Sequence, residues 1–428
     1  MVNGVSMELS IRNVAYRVYP SKRQEKILEG WLGLHRELYN ASLSERKEAY
    51  RRFGKSISYN DQQNVLPEIK SFRPDLIPLG SQALQETLRR VDRGMKAFFR
   101  RVKAGLTPGY PRFRSRDRFD SFSYPGPAGW TLLHDDNHVR VQVSNLGSLK
   151  TMGKSRFNVQ ELERRCLTVH RKNGKWYVTV SFRGKAEAFV RQSPLSGTAT
   201  GIDAGATNLG VLADGSVIEN PKTYLKALRQ IAHLQRDVSR KKRGSGRRRK
   251  AIRILAKAHS RLADKRKDAL HKASTKLASS YDVIGYEGDL RIAGMTRSAR
   301  GTVEVPGRNV AQKAGLNRSL LDASISTFIG MIEYKAVEAG AHFVPVDKAG
   351  TTVDCCHCGH KNPLQLANRT YRCRYCRIQM DRDHNAAINI MLRALQVRQY
   401  GTYCRGEGID TLWETGHHNQ IAQAIGYW

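Results

Sequence analysis

Two Cys-x-x-Cys pairs, Cys355-Cys356-His357-Cys358 and Cys373-Arg374-Tyr375-Cys376, constrain this chain more than any other stretch of it. Four thiolates at that separation can surround one structural zinc ion tetrahedrally, each pair forming a tight knuckle whose backbone amides point at the sulfurs. Four buried cysteines without a metal would not require such spacing. Directly after the second pair comes Asp381-Arg382-Asp383-His384-Asn385-Ala386-Ala387-Ile388-Asn389-Ile390, where small and apolar residues at helical intervals start a helix behind capping carboxylates. A metal-stapled loop that delivers a carboxylate to a set place suits a metal-dependent site for cutting phosphodiesters.

The charge balance names the partner class. The chain carries 73 Lys and Arg against 38 Asp and Glu, a formal +35, far more than solubility needs, and such a field attracts polyphosphate. Its 428 residues, 40% hydrophobic, support two or three globular domains with real cores. No apolar run approaches the roughly 18 to 20 residues of a spanning helix, and the start lacks a signal-peptide core, so the expected location is the cytoplasm, on the nucleoid when bound to DNA, with no membrane partner. Cys166, Cys356 and Cys404 are left over from the paired knuckles, a usage expected of reduced, metal-binding thiols.

Along the chain, Leu9 to Val18 alternates as a strand, and Ser21-Lys22-Arg23-Gln24 has capping-box spacing for a helix with Ile27, Trp31, Leu34 and Leu38 on one face. A second helix is marked by Leu84, Leu88, Val91, Met95, Phe98 and Val102. Its other face, from Arg89 and Arg90 to Lys103, reads as one sign of charge facing phosphates. Gly109 to Arg116 interleaves aromatics with Arg112 and Arg114, a composition that stacks on bases while neutralising backbone. From Phe122 to Phe182 the pattern is β-rich, with Asn173-Gly174 as a type I′ hairpin turn. This predicts a small barrel-like β module into which the helices are inserted.

A linker then leads to Ala199-Thr200-Gly201-Ile202-Asp203, a core strand holding one carboxylate. A buried charge must be paired, neutral or bound to a cation, which favours a metal ligand. Two long helices follow, flanking a block that contains Arg240, Lys241, Lys242, Arg243, Arg247, Arg248, Arg249 and Lys250. Its like charges repel one another unless a polyanion passes, so these eight are candidate nucleic-acid contacts together with Arg112 and Arg114. The strand Tyr281 to Glu287 ends in another carboxylate, a helix is expected from Asn317 to Glu338, and a last strand runs from Ala341 to Asp347. A βα sheet can bring Asp203, Glu287 and Asp383 to one edge, where hard oxygen ligands would hold two Mg²⁺ ions for phosphodiester hydrolysis. No Walker sequence or Ser-His-Asp arrangement competes.

These residues carry a resemblance to the TnpB family, the RNA-guided DNA nucleases of insertion sequences, related to compact type V CRISPR effectors. It rests on Tyr16-Arg17-Val18-Tyr19-Pro20, Gly109-Tyr110-Pro111-Arg112-Phe113, Gly201-Ile202-Asp203, Gly315-Leu316-Asn317-Arg318-Ser319, Tyr334-Lys335-Ala336, the zinc ribbon and Asp383-His384-Asn385-Ala386-Ala387. The resemblance implies an α/β chain with an α+β N-terminal part. Its expected map is a wedge-like β-barrel over 1–20 and 121–190, a helical recognition insertion over 21–120, an RNase H-like RuvC nuclease domain over 191–350 and 379–395, a zinc ribbon over 351–378, and a tail over 396–428 whose composition favours disorder. It also implies Asp203, Glu287 and Asp383 as the catalytic triad, a guide RNA from the element's own transcript, and a target DNA. Two departures stand out. Glu287-Gly288-Asp289-Leu290 is one residue longer than the family pattern, which leaves Asp289 as the alternative middle ligand, and Thr351-Thr352-Val353 replaces Thr-Ser-Gln in what reads as a surface contact. Asp381 is a second carboxylate beside Asp383. Two other functions share this charge and fold, a catalytically silent RNA-guided DNA binder and an RNA-independent transposase or resolvase.

Overall fold

A computed structural model describes residues 9–135, 138–152, 159, 162–185, 197–288, 295–296, 305–364 and 368–402. The chain divides into two compact units, Met1–Phe189 and Val190–Trp428. No helix among the described residues is long and apolar enough to cross a membrane.

The first unit is built on a seven-stranded antiparallel sheet. Strand β1 (Leu9–Tyr19) precedes the helices, and β2 (Ser121–Tyr124), β3 (Trp130–Asp135), β4 (His138–Val143), β5 (Gly147–Met152), β6 (Glu163–Lys172) and β7 (Lys175–Lys185) follow them, in the order β2-β6-β7-β1-β5-β4-β3. Asn173 and Gly174, both at positive φ (52° and 76°), make the tight β6–β7 turn. Between β1 and β2 lie α1 (Lys22–Phe53), α2 (Tyr59–Asn64), α3 (Leu66–Phe72) and α4 (Ser81–Lys103). The capping box forms: the Gln24 amide donates to Ser21 Oγ, and the Ser21 amide donates to Gln24 Oε1. Leu28, Trp31, Leu84, Leu88 and Val91 bury against Phe122, Val178 and Phe182, so helices and sheet share one core.

The sequence pattern misleads on α4 in one respect. Its cationic face is mixed, because Glu86 pairs with Arg89 and Arg93, Asp92 pairs with Arg46 and Lys96, and Arg90 turns inward to donate to the Ser121 carbonyl (2.6 Å) and Ser123 Oγ (3.0 Å).

In the second unit, β8 (Ala199–Asp203), β9 (Asn208–Leu212), β10 (Val217–Glu219), β11 (Val283–Glu287) and β12 (His342–Val346) form one sheet in the order β10-β9-β8-β11-β12. The β10, β9 and β8 strands are antiparallel, and β8, β11 and β12 run parallel. The crossover from β10 to β11 is made by α5 (Thr223–Arg240) and α6 (Gly246–Ser280), and the N-terminus of α5 is capped by buried Asp322, which also pairs with Arg266. The helix expected from Asn317 to Glu338 is two helices, α7 (Val310–Ala323) and α8 (Ile325–Ala339), broken where Ser324 takes φ 53°. Apolar periodicity continues across that residue, which is why the pattern hid the break. A two-stranded ribbon, β13 (Thr370–Arg372) and β14 (Gln379–Asp381), leads into α9 (Arg382–Thr402). This helix runs past Gln396 into the segment expected to lack structure; residues 403–428 of that segment lie outside the described residues.

Candidate active site and zinc centre

Strands β8 and β11 are parallel neighbours with Gly201 beside Gly285 and Ile202 beside Tyr286, so the next positions along are Asp203 and Glu287. Residues two apart on a strand share a face, which puts both carboxylates on the face of the two glycines, at the carboxyl ends of their strands. Helix α9 lies on that face. A Cβ on Gly201 would fall 2.1 Å from the Ala387 carbonyl oxygen and 2.5 Å from the Met391 nitrogen, and one on Gly285 would fall 2.8 Å from Ala394 Cβ and 2.9 Å from the Ile390 oxygen. The glycine pair is therefore a trough that admits the helix backbone itself, with Ala386, Ala387, Ile390 and Ala394 fully buried along it. The first turn of α9 consequently carries Asp383 to the edge where Asp203 and Glu287 end.

The electrostatics register this convergence. Burial, followed by the neighbouring charges of Asp383 and Glu287, pushes the Asp203 carboxyl up to about 7, against an opposing pull from Arg382. Glu287 accepts a hydrogen bond from Thr351 Oγ1 (2.8 Å). Thr351, the residue of Thr351-Thr352-Val353 that agrees with Thr-Ser-Gln, is buried and its carbonyl accepts from Asn389 Nδ2 (2.9 Å), whereas Thr352 and Val353, where the sequence departs, are half-buried. Both oxygens of Asp383 accept from guanidinium groups, Oδ2 from Arg369 Nη1 (3.1 Å) and Oδ1 from Arg382 Nη2 (3.1 Å). Asp381 has a different task. Its Oδ1 accepts from the amides of Asp383 (2.8 Å) and His384 (3.2 Å), which caps α9. Asp289 lies outside the described residues.

The four cysteines form the one group among the described residues whose ligand atoms, all within 4.8 Å of one another, could hold a metal as they stand. Asp203, Glu287 and Asp383 do not form a group that closed: Glu287 is engaged with Thr351, and Asp383 with Arg369 and Arg382. The sulfur pairs Cys355–Cys376 and Cys358–Cys373 are 3.6 and 3.5 Å apart, near the separation of about 3.8 Å that Zn–S bonds of about 2.3 Å give in a tetrahedron. The two knuckles have one geometry. Gly359 and Arg377, each four residues past the first cysteine of its pair, take φ 74° and 64° and return their amides to the carbonyls of Cys355 and Cys373. Although desolvation opposes it, backbone amides of Cys376 and Tyr375 hold the Cys373 thiol down to about 6.

Helix α9 also clamps this centre. Asn385 accepts from the Cys356 amide (3.0 Å) and donates to the Asp354 carbonyl (2.8 Å), Asn389 donates to the same carbonyl (2.8 Å), and Arg393 pairs with the Asp354 carboxylate (2.9 Å). His384 Nε2 lies 3.0 Å from the Ala213 carbonyl, bracing the turn between β9 and β10. Sequence reasoning passed over Thr351, Asn385, Asn389 and the glycine pair. The four-residue spacing of the two asparagines, which sets them on one helix face, was the available signal.

Of the candidate nucleic-acid contacts, Arg240, Lys241, Lys242, Arg243, Arg247, Arg248, Arg249 and Lys250 lie at the α5–α6 connection, most of them exposed. Lys241 pairs with Asp237; among the described residues the other seven have no carboxylate within ion-pair distance. Arg112 and Arg114 are exposed in the first unit.

Comparison with known proteins adds the following. The OrfB_IS605 family profile, described as "Probable transposase", matches residues 167–299; a "Cas12f1-like, TNB domain" matches 326–390; and a "Helix-turn-helix domain" matches 7–55, whose described residues form one strand, Leu9–Tyr19, and one unbroken helix, Lys22–Phe53. The chain is 32% identical to InsQ of Escherichia coli (strain K12), named as an RNA-guided DNA endonuclease, over 88% of this chain and 90% of that one. It is 30% identical to a Streptomyces pristinaespiralis protein with the same designation, over 91% of each. Among solved structures, a Cas12f1–sgRNA–target DNA complex is similar in fold, with a TM-score of 0.53 at 12% identity, covering 90% of this chain and 99% of that one.

Proposed function

We propose that this chain, which belongs to the TnpB family, is an RNA-guided DNA endonuclease of a transposable element that cuts DNA complementary to its bound guide next to a short duplex motif. The observation that carries the catalytic part is the glycine trough, which brings the first turn of α9 to the ends of β8 and β11 and so gathers three carboxylates from distant sequence. We read the five-stranded sheet with its packed helices as an RNase H-like RuvC domain, the cysteine cluster as its zinc ribbon, and the seven-stranded sheet with its inserted helices as the wedge and recognition part.

In this reading Asp203, Glu287 and Asp383 hold two Mg²⁺ ions. When bound, these would activate the attacking water and stabilise the leaving 3′ oxygen. The protein's own residues do the rest. Burial first, and then the charges of Asp383 and Glu287, raise the affinity of Asp203 for a proton, and a bound cation would offset both. Thr351 orients Glu287, and Arg369 and Arg382 neutralise Asp383 until a ligand competes for it. The zinc ribbon, through Asn385 and Asn389, sets the height of α9 on the sheet. The basic α5–α6 connection and Arg112 and Arg114 supply sequence-independent affinity, while base pairing supplies sequence.

The names of the relatives and the retention of all three carboxylates favour cutting over silent binding. The reading is tested by purifying the protein with transcripts flanking its gene, sequencing the RNA that stays bound, and replacing its guide segment. Cutting should move to the DNA that matches the new guide. Cutting that ignores the guide, or purification without RNA, would favour the RNA-independent recombinase.

A further inference from the structure

We propose that the cleft between α4 and the 109–121 segment of the first unit is a binding site for one unpaired nucleotide, its phosphates on the arginine rim and its base against the aromatic floor. The cleft, about 470 Å³, is within the range of small-ligand sites. Its wall carries five arginines, Arg90, Arg101, Arg112, Arg114 and Arg118, against the single carboxylate of Asp120. Among the described residues Arg101, Arg112, Arg114 and Arg118 have no ion-pair partner, in a helical region where Glu86 and Asp92 pair with several other cations. Cations gathered and left uncompensated in a concave site call for an anion.

The floor is apolar. Phe98 is half-buried there, and the buried Tyr39 and Phe119 rings meet at a tilt, with centroids 6.0 Å apart. The rim is also held in place. Asn40 makes a two-bond clamp on the backbone of Arg114, donating to its carbonyl (3.0 Å) and accepting from its amide (2.8 Å). Pro111 packs over Gly94, where a Cβ would stand in ordinary contact with its ring at 3.4 Å. The loop thus presents its arginines in a prearranged geometry, which reduces the ordering cost of binding.

Three ligands would satisfy the charge, but only one uses the floor. A duplex presents a convex ridge of phosphates and would touch the outer arginines alone, and a free phosphate has no use for aromatic rings. An unpaired nucleotide offers both a phosphate and a π-face, the combination that single-strand sites exploit. Beyond Phe119 a second groove of about 330 Å³ is lined by Lys26, Arg36, Arg116, Arg171 and Glu29; Glu29 pairs with Arg171 and Glu37 with Arg36, so among the described residues Lys26 and Arg116 are the groove cations without an ion-pair partner that could meet a neighbouring phosphate. The inference rests on the reading of this chain as a nucleic-acid protein but not on its carboxylates, so its test does not use cutting. Guide RNA and displaced DNA share this chemistry, and the test separates them.

The test uses the full-length protein and fluorescence anisotropy with three labelled probes: a uridine pentanucleotide, a thymidine pentanucleotide, and a duplex with the same number of phosphates. Ala97→Phe fills the cleft and removes no charge. It should weaken the single strands about tenfold, in line with one lost base–aromatic contact, and change the duplex less than about twofold. Arg118→Gln, an exposed rim substitution that leaves packing alone, should weaken the single strands several-fold, and thermal unfolding confirms that each variant is folded. A larger loss for the uridine probe assigns the site to RNA, and a larger loss for the thymidine probe assigns it to DNA. Unchanged single-strand affinity in both variants, or equal losses for single strands and duplex, would overturn the proposal.

Discussion

Replacing Gly201 with Ala adds one methyl group and should nearly abolish cutting. The new Cβ would stand 2.1 Å from the Ala387 oxygen and 2.5 Å from the Met391 nitrogen, where side-chain carbons essentially never come closer than 3.0 Å. Both obstacles are helix backbone, which cannot swing aside as a flexible side chain can. Helix α9 must therefore lift by about 0.9 Å or more at Ala387, one turn from Asp383. Overpacking of this kind costs about 1–3 kcal/mol of stability, and a displacement of about 1 Å between reacting groups costs about a hundredfold in rate. The assay is single-turnover cleavage of a guide-matched duplex, with zinc content and RNA affinity measured on the same preparation. Gly201→Ala should retain zinc and RNA and lose cutting about a hundredfold. Gly285→Ala, whose obstacles lie at 2.8 and 2.9 Å, should lose less, and it keeps the test alive if the first variant folds poorly. Gly330→Ala on α8, with nothing within 4 Å, is the control and should raise stability by about 1 kcal/mol with unchanged cutting. A Gly201→Ala protein that cuts at the wild-type rate would refute the trough argument.

Other outcomes follow from the same geometry. Cys373→Ser should lower zinc from about one ion per chain and destabilise the segment that α9 clamps, seen as faster amide exchange over residues 351–395, whereas a zinc-free protein with full activity would dismiss the zinc centre as a structural element. Changing Arg247, Arg248 and Arg249 together to Gln should weaken nucleic-acid binding and flatten its salt dependence by about one unit of slope for each lost phosphate contact; an unchanged slope would make the run a solvated connection. His35 is held neutral, its pKa lowered from 6.5 to about 3 by burial and then by the charge of Arg90. Because the folded value lies below the unfolded one, its contribution to stability is present above about pH 6.5 and is lost as pH falls from there toward 3, by up to about 1.4 kcal/mol per pH unit. His35→Gln should flatten that decline in calorimetry across this window, and an identical decline in wild type and variant would show that other groups set it.

Much of the site was legible because its chemistry is local. Cysteine spacing is a covalent-distance argument, and the four sulfurs converge as that argument requires. The capping box and the Asn-Gly turn were equally readable, since each depends on a few consecutive residues. What escaped notice depends on partners distant in the chain. Nothing near Gly201 announces Gly285, or that a helix nearly two hundred residues away would need the space that both leave open. The α4 face is less cationic than its Arg and Lys spacing predicts, because Glu86 and Asp92 lie within reach of that row and Arg90 turns inward to carbonyl and hydroxyl partners beyond position 120. Nothing in the local sequence ties Thr351 to Glu287, 64 residues earlier, yet the clamp from α9 buries it beside that carboxylate.

The most direct test of the central claim is guided cleavage by the RNA-bound protein with Mg²⁺, comparing wild type with Asp203→Ala, Glu287→Ala and Asp383→Ala. Each single variant should stop cutting while guided binding stays largely intact, and the losses should not add in combination, because a two-metal site missing one ligand already fails as a unit. Loss of cutting in Asp289→Ala but not in Glu287→Ala would move the middle ligand to Asp289, and robust cutting by all three single variants would contradict the account.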